Sequence, residues 1–275
     1  MTTQPPMHID AEVHFWKYEK TNANIVIRNN KFLKQDHLPE QLTQSLLRNG
    51  MNGCIAAVAE DSELETRFLS ELALTHSEIL GVVGWTDLSN PRAGEKIQEL
   101  HQYTPLKGFQ TGTAKRPEPA GEVMDLLNTF QYSLDLSLEP DTDTIALGKW
   151  IASHPNQQFI LRNAGNPYAT HALKTDWENQ IRTLAKNENL SCKVAGFLTN
   201  VRANSWKPGD FYPYLDILFD AFGSSRLLYA SDWPFLLLGG IYVQWKSLLE
   251  KFTEKFIAED RDLFFGNNAQ RIYRL

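Results

Sequence analysis

The sequence has only two cysteines, Cys54 and Cys192, far apart and each inside an apolar run. That excludes a disulfide framework and any paired-cysteine metal or redox motif, and it reads as two buried free thiols in a reducing cytoplasm. No apolar run approaches the roughly 18 residues that a membrane-spanning helix needs. Residues 1–9 lack the basic-then-apolar order of a secretory leader, so a cytoplasmic location is expected. Positive charge is also scarce: 27 Lys and Arg stand against 33 Asp and Glu, a net charge of −6. A chain without a basic excess is a poor binder of nucleic acid or of an anionic membrane surface. No glycine-rich turn links a candidate strand to a helix, which removes dinucleotide and phosphate-loop chemistry. The expected partner is therefore a small-molecule substrate, with a homo-oligomer left open.

Hydrophobic residues make up 42% and charged residues 22% of the 275, the balance of an ordinary folded protein. No change in composition marks a linker, so residues 1–275 are expected to form a single domain. Short β-like runs at 9–15, 53–59, 79–87, 106–111, 132–138, 157–164, 190–197 and 226–233 read as eight strands. Helical patterns fill the gaps between them. One, at 39–49, ends at Gly50, a left-handed cap. Ser62-Glu63-Leu64-Glu65 reads as a capping box, and Asn90-Pro91 as a cap followed by a first-turn proline. Further helices are expected at 121–130, 142–154, 177–187, 211–222 and 242–254, with a last one at 261–273. Eight strand–helix units in this length predict a (β/α)8 TIM barrel, with a doubly wound sheet as the alternative. The long irregular stretch 16–38 follows strand 1, at the end where barrels place active sites, and reads as a lid or binding loop.

Chemistry is sought at the strand ends. Asp10, Glu12 and His14 alternate along the first strand and are expected on one face. They form either a hydrogen-bonded polar layer or a site, since buried ionisable groups are costly without a purpose. Asp232, before Trp233-Pro234 at the end of the eighth strand, stands where a barrel enzyme holds a base or metal ligand, or else caps the next helix. Trp16, Trp85, Trp206 and Trp233 lie at or just past strand ends, where ring faces suit a sugar as well as plain packing. Asn22, Asn24, Arg28, Asn29, Asn30 and Lys31 offer polar groups above the mouth, and His171 lies in the loop after strand 6.

Several segments carry a family resemblance. They are Ile9-Asp10-Ala11-Glu12-Val13-His14-Phe15-Trp16, Leu38-Pro39-Glu40, Glu65-Thr66, Gly81-Val82-Val83-Gly84-Trp85-Thr86-Asp87-Leu88, Leu106-Lys107-Gly108-Phe109, Cys192-Lys193-Val194-Ala195-Gly196, Ser231-Asp232-Trp233-Pro234 and Asn267-Asn268-Ala269. In order, over nearly the whole chain, they resemble the amidohydrolase superfamily, in its branch of sugar-lactone hydrolases and related decarboxylases. The resemblance implies a metal-dependent-hydrolase type of barrel. It also shows departures. Glu12 stands for the first histidine of the family's His-x-His, and Arg162-Asn163 stands for the Asp-His that ends its sixth strand. Val58 replaces a glutamine late in strand 2, and strand 4 ends Phe109-Gln110-Thr111 where relatives carry histidine or arginine.

Glu12, His14, Asn163 and Asp232 offer mostly oxygen, which suits Mg²⁺, Ca²⁺ or Mn²⁺ better than Zn²⁺. The expectation is no tightly bound cofactor, with Glu12, His14 and Asp232 holding a divalent metal weakly or not at all. Without metal, Glu12 needs a cation, and Lys193 and Arg162 are the candidates. The activity implied is hydrolysis of a small lactone. Asp232 would be the base, and His14 with Asn163 and Lys193 would polarise the carbonyl. Glu12 would orient His14 or carry a proton, and Trp16, Arg28, Trp85, Arg162 and Trp233 would contact substrate. The alternatives are a barrel that has lost catalysis and binds a sugar acid or a partner, and a metal-dependent decarboxylase.

Overall fold

The computed structural model describes residues 6–19, 24–111, 119–139, 141–167, 174–199 and 201–275. Asn22 and His171 lie outside them. Eight strands run in chain order: β1 (Ile9–Val13), β2 (Gly53–Ala57), β3 (Ile79–Gly84), β4 (Leu106–Gln110), β5 (Ser133–Leu136), β6 (Phe159–Leu161), β7 (Leu190–Val194) and β8 (Leu227–Tyr229). Each pairs in parallel with the next. β8 returns to β1 through a parallel bridge at Val13 and Trp233, with Asp232 N–H donating to the Glu12 carbonyl at 3.0 Å and His14 N–H to the Trp233 carbonyl at 2.7 Å. Sequential neighbours and this closure make the TIM barrel and exclude the doubly wound sheet. The strands are shorter than the sequence suggests because residues such as 162–164 and 195–197 leave the ladder to build the mouth.

Helices α1 (Ile25–Asn29), α2 (Pro39–Arg48), α3 (Glu63–Thr75), α4 (Ala93–Leu100), α5 (Gly121–Thr129), α6 (Thr144–Ala152), α7 (Lys174–Leu184), α8 (Pro208–Phe222), α9 (Tyr242–Thr253), α10 (Ala258–Asp262) and α11 (Asn268–Tyr273) complete the described chain. None is long and apolar enough to cross a membrane. The apolar residues form two layers. Outward-facing strand residues such as Val13, Cys54, Phe109, Leu134, Leu161, Cys192 and Tyr229 pack with the helices. Inward-facing ones, among them Ile9, Ala11, Ile55, Ala57, Val83, Ile160, Ala195 and Leu228, fill the barrel together with Ala269, Ile272 and Tyr273 of α11, which seals its lower end. Each fully buried Leu or Ile in these layers contributes roughly 1.5–3 kcal/mol relative to exposure. A Cβ at Gly266 would lie 1.6 Å from the Met7 carbonyl oxygen, so only glycine lets the turn that leads into α11 pass so close to Met7.

Three expectations need correction. The stretch 16–38 is not irregular throughout. Its ends are tied by reciprocal Trp16–His37 backbone bonds of 2.9 Å, and between them α1 is capped by the Asn24 side chain and buries Ile27. Only half of the capping box forms: Ser62 Oγ accepts from Glu65 N–H, but the Glu65 carboxylate turns to the N–H groups of Ala59 and Glu60. Finally, Asp10, Glu12 and His14 do not share a face. The β1–β2 register slips between Asp10 and Val13, a bulge that adds one residue to β1. Asp10 therefore faces out, where Tyr242 of α9 donates to it at 2.8 Å, while Glu12 and His14 face in.

Candidate active site

The barrel interior near its upper end carries a chain of charges. Lys193, on β7, places Nζ 2.6 Å from Asp135 Oδ2 on β5 and 3.3 Å from Glu12 Oε2, with all three side chains fully buried. Arg162, just past β6, donates to Glu12 Oε1 from Nε at 2.7 Å, and its Nη2 lies 2.6 Å from the same oxygen as an ion pair. The Lys193–Glu12 contact is an ion pair without hydrogen-bond alignment, so Glu12 Oε2 accepts no hydrogen bond among the described residues. Burial by itself would raise the Glu12 pKa. The Arg162 guanidinium, then Lys193 and His14, overcome that and hold it down to about 2. Burial likewise would lower Lys193, but Asp135 and Glu12 raise it, so the ammonium stays charged.

His14 lies beside this chain. Its Nδ1 is 2.8 Å from the Ala57 carbonyl, and its Nε2 is 3.2 Å from Asp232 Oδ1 and 3.6 Å from Glu12 Oε1. Both ring nitrogens face acceptors, an arrangement satisfied when both carry hydrogen or when a cation replaces one of them. Asp232 adopts a left-handed backbone, φ 59°, just past β8, and does not cap the following turn with its side chain. Instead Oδ1 meets His14 and Oδ2 accepts from Thr199 Oγ1 at 2.9 Å. Asp10 holds the two strands together from behind, accepting from Ser231 N–H at 2.9 Å and Glu12 N–H at 3.3 Å. Burial pushes its carboxyl up to about 6.

Asn163 begins a turn in which four successive residues, 163–166, have positive φ. Gly196 is built for it: a Cβ there would lie 2.8 Å from Asn163 Cβ. Asn163 Oδ1 and Gln110 Oε1 are buried without a hydrogen bond among the described residues. Left-handed conformations at non-glycine residues cost energy and concentrate where function holds them.

Glu12, His14, Arg162, Lys193 and Asp232 thus come together, with Asn163 at the neighbouring strand end. The proposed substrate contacts scatter. Trp16 is buried between His37 and Phe235, and Trp233 packs against Phe15 and His37 in the outer layer. Trp85 is half-buried against the outer layer, and Arg28 is exposed on α1. Asp135 and Thr199 were not singled out in the sequence. Asp135 carries a signal, the alternation Ser133-Leu134-Asp135-Leu136 that sets a carboxylate inside a barrel, whereas Thr199 carries none.

The ligand atoms of Glu12, His14 and Asp232 lie within 4.8 Å of one another, which suits a divalent ion in spacing. The neighbouring cations compete with it. An ion bound to Glu12 would sit roughly 5 Å from the Arg162 guanidinium, a repulsion of about 7 kcal/mol at an effective dielectric constant near 20, set against its attraction to the Glu12 and Asp232 carboxylates. Glu12 Oε1 already accepts a hydrogen bond from Arg162 Nε. The three residues make a candidate metal site in which Arg162 and Lys193 oppose the ion.

A family model described as amidohydrolase matches residues 9–275. The chain is 29% identical to an L-fucono-1,5-lactonase of Burkholderia multivorans, an alignment covering 98% of this chain and 96% of that protein. It is 26% identical to the L-fucono-1,5-lactonase of Burkholderia ambifaria, covering 97% and 95%. The crystal structure of a Burkholderia multivorans amidohydrolase with bound zinc superposes with a TM-score of 0.87 at 27% identity, covering 98% of this chain and 99% of that one.

Proposed function

The chain belongs to the amidohydrolase family, and from that premise we propose that it hydrolyses small sugar lactones through Asp232 and His14. The observation that carries the reading is the Asp232–His14 contact of 3.2 Å at the mouth of a barrel similar over its whole length to two L-fucono-1,5-lactonases. A carboxylate held in one rotamer by His14 and Thr199 is suited to general-base work. In this reaction Asp232 takes a proton from water while the water oxygen bonds to the lactone carbonyl carbon, and the carbonyl electron pair moves onto oxygen. As Asp232 takes up the proton its hold on His14 Nε2–H weakens, and that donor, with the Asn163 carboxamide, stabilises the oxyanion. As the carbonyl re-forms, the ring C–O bond breaks, and the ring oxygen takes the proton back through Asp232 to leave the hydroxy acid.

Glu12, Arg162, Lys193 and Asp135 form the charged floor of this site. The two cations keep Glu12 ionised, and Glu12 in turn sets a negative charge 3.6 Å from His14 Nε2. Arg162 and Lys193, paired with Glu12, compete with a metal ion for that carboxylate. The test is a panel of aldonolactones assayed for acid release, with and without added divalent cations. Hydrolysis that does not depend on added metal is expected. A wild type that opens no lactone in the panel under either condition overturns the reading.

A further inference from the structure

Three buried side-chain oxygens at the upper end of the barrel make no hydrogen bond among the described residues: Glu12 Oε2, Asn163 Oδ1 and Gln110 Oε1. Glu12 has its cations. Gln110 has no ion pair among the described residues, although it is only 4% exposed. Its position is defined by register. Gln110 at the end of β4 is the partner of Asp135 on β5, and Asp135 faces inward to hold Lys193. Partners on adjacent strands share a face, so the Gln110 side chain projects into the barrel beside the charged floor. Its neighbour on the inner face of the same strand is small. Gly108 precedes it there, between Val83 on β3 and Ser133 on β5, where a Cβ would lie 2.1 Å from Ser133 Oγ.

A buried acceptor left unpaired costs on the order of 1–3 kcal/mol, and a hydrocarbon side chain of similar size would avoid that cost. We propose that Gln110 is a specificity-determining residue whose carboxamide oxygen accepts a hydrogen bond from a hydroxyl of the substrate. The ligand class is a polyhydroxylated lactone rather than an unsubstituted one. An acceptor needs a donor, and a hydroxyl borne on the ring is the donor a sugar lactone has in excess. The inference rests on the lactonase reading and narrows it. A site with a committed acceptor discriminates strongly against a ligand lacking the matching hydroxyl, because that ligand leaves the acceptor unpaired.

The experiment compares kcat/KM for a polyhydroxylated aldonolactone with kcat/KM for δ-valerolactone, in the wild type and in Gln110→Met. The variant keeps the length of the side chain and removes its acceptor. The preference of the wild type for the hydroxylated lactone is expected to shrink by about 10–100-fold in the variant, the worth of one such pairing. Gln110→Glu, which keeps an acceptor at the same place, is expected to retain more of that preference than Gln110→Met. A preference unchanged within threefold in Gln110→Met overturns the inference while leaving the lactonase reading standing. A wild type that hydrolyses neither lactone overturns the lactonase reading and this inference with it.

Discussion

Lys193 is fully buried with Nζ between Asp135 at 2.6 Å and Glu12 at 3.3 Å. Replacing it with Met keeps the volume and removes the charge. Asp135 then loses the cation it hydrogen-bonds, and Glu12 keeps only Arg162. Removing one partner of a buried pair leaves an uncompensated charge, so Lys193→Met should cost about 3–5 kcal/mol. Asp135→Leu alone is milder, because Lys193 retains Glu12. The double variant replaces the pair with two apolar side chains and leaves the Glu12–Arg162 pair intact. Its loss should fall short of the sum of the single losses by at least about 2 kcal/mol, the coupling expected of groups in direct contact. Urea unfolding followed by tryptophan fluorescence, with unchanged slopes, measures the cycle. Additivity within about 0.5 kcal/mol, or a Lys193→Met cost below about 1 kcal/mol, would refute the idea that this pair holds the floor of the site.

Asp232→Asn should lower turnover about 10²–10⁴-fold, the usual worth of a positioned base. Activity within threefold of wild type would remove Asp232 from that role. Asp10, raised to about 6 in the fold, contributes stability that is fully present below its ordinary value near 3.8 and lost as pH rises through 6. Asp10→Asn should abolish that slope, gaining on the wild type by up to about 3 kcal/mol above pH 7; a stability difference that stays flat between pH 4 and 8 would contradict this. The purified protein should carry well under one equivalent of zinc, and Glu12→His with Asn163→His should raise zinc affinity by at least about two orders of magnitude by supplying imidazoles. Elemental analysis and zinc titration decide it, and stoichiometric zinc in the wild type would show that Arg162 and Lys193 do not repel the ion.

The barrel was legible because each strand–helix unit has its own periodicity, and eight of them in order leave little choice of topology. Glu12, Arg162 and Lys193 were legible as a charge balance, since a buried carboxylate must find cations. The bulge in β1 was not. Alternation in Asp10-Ala11-Glu12-Val13-His14 looks regular, and only the ladder with β2 decides where the extra residue falls. Trp233 illustrates the same limit. The left-handed turn at Asp232 sends the next side chain to the outer layer, against Phe15, although its place after a strand suggests a binding platform.

Closure between the first strand and the last also has a consequence for vectorial synthesis. Glu12 is made early and is ionised in an unfolded chain at neutral pH. Arg162 lies 150 residues further along, and Asp232, which ties β8 to the Glu12 carbonyl, comes later still. While the ribosome is still adding β6 to β8, β1 therefore holds a carboxylate that cannot enter an apolar interior. A half-made barrel that buried Glu12 before Arg162 and Lys193 were made would leave that carboxylate unpaired, at a cost of several kcal/mol.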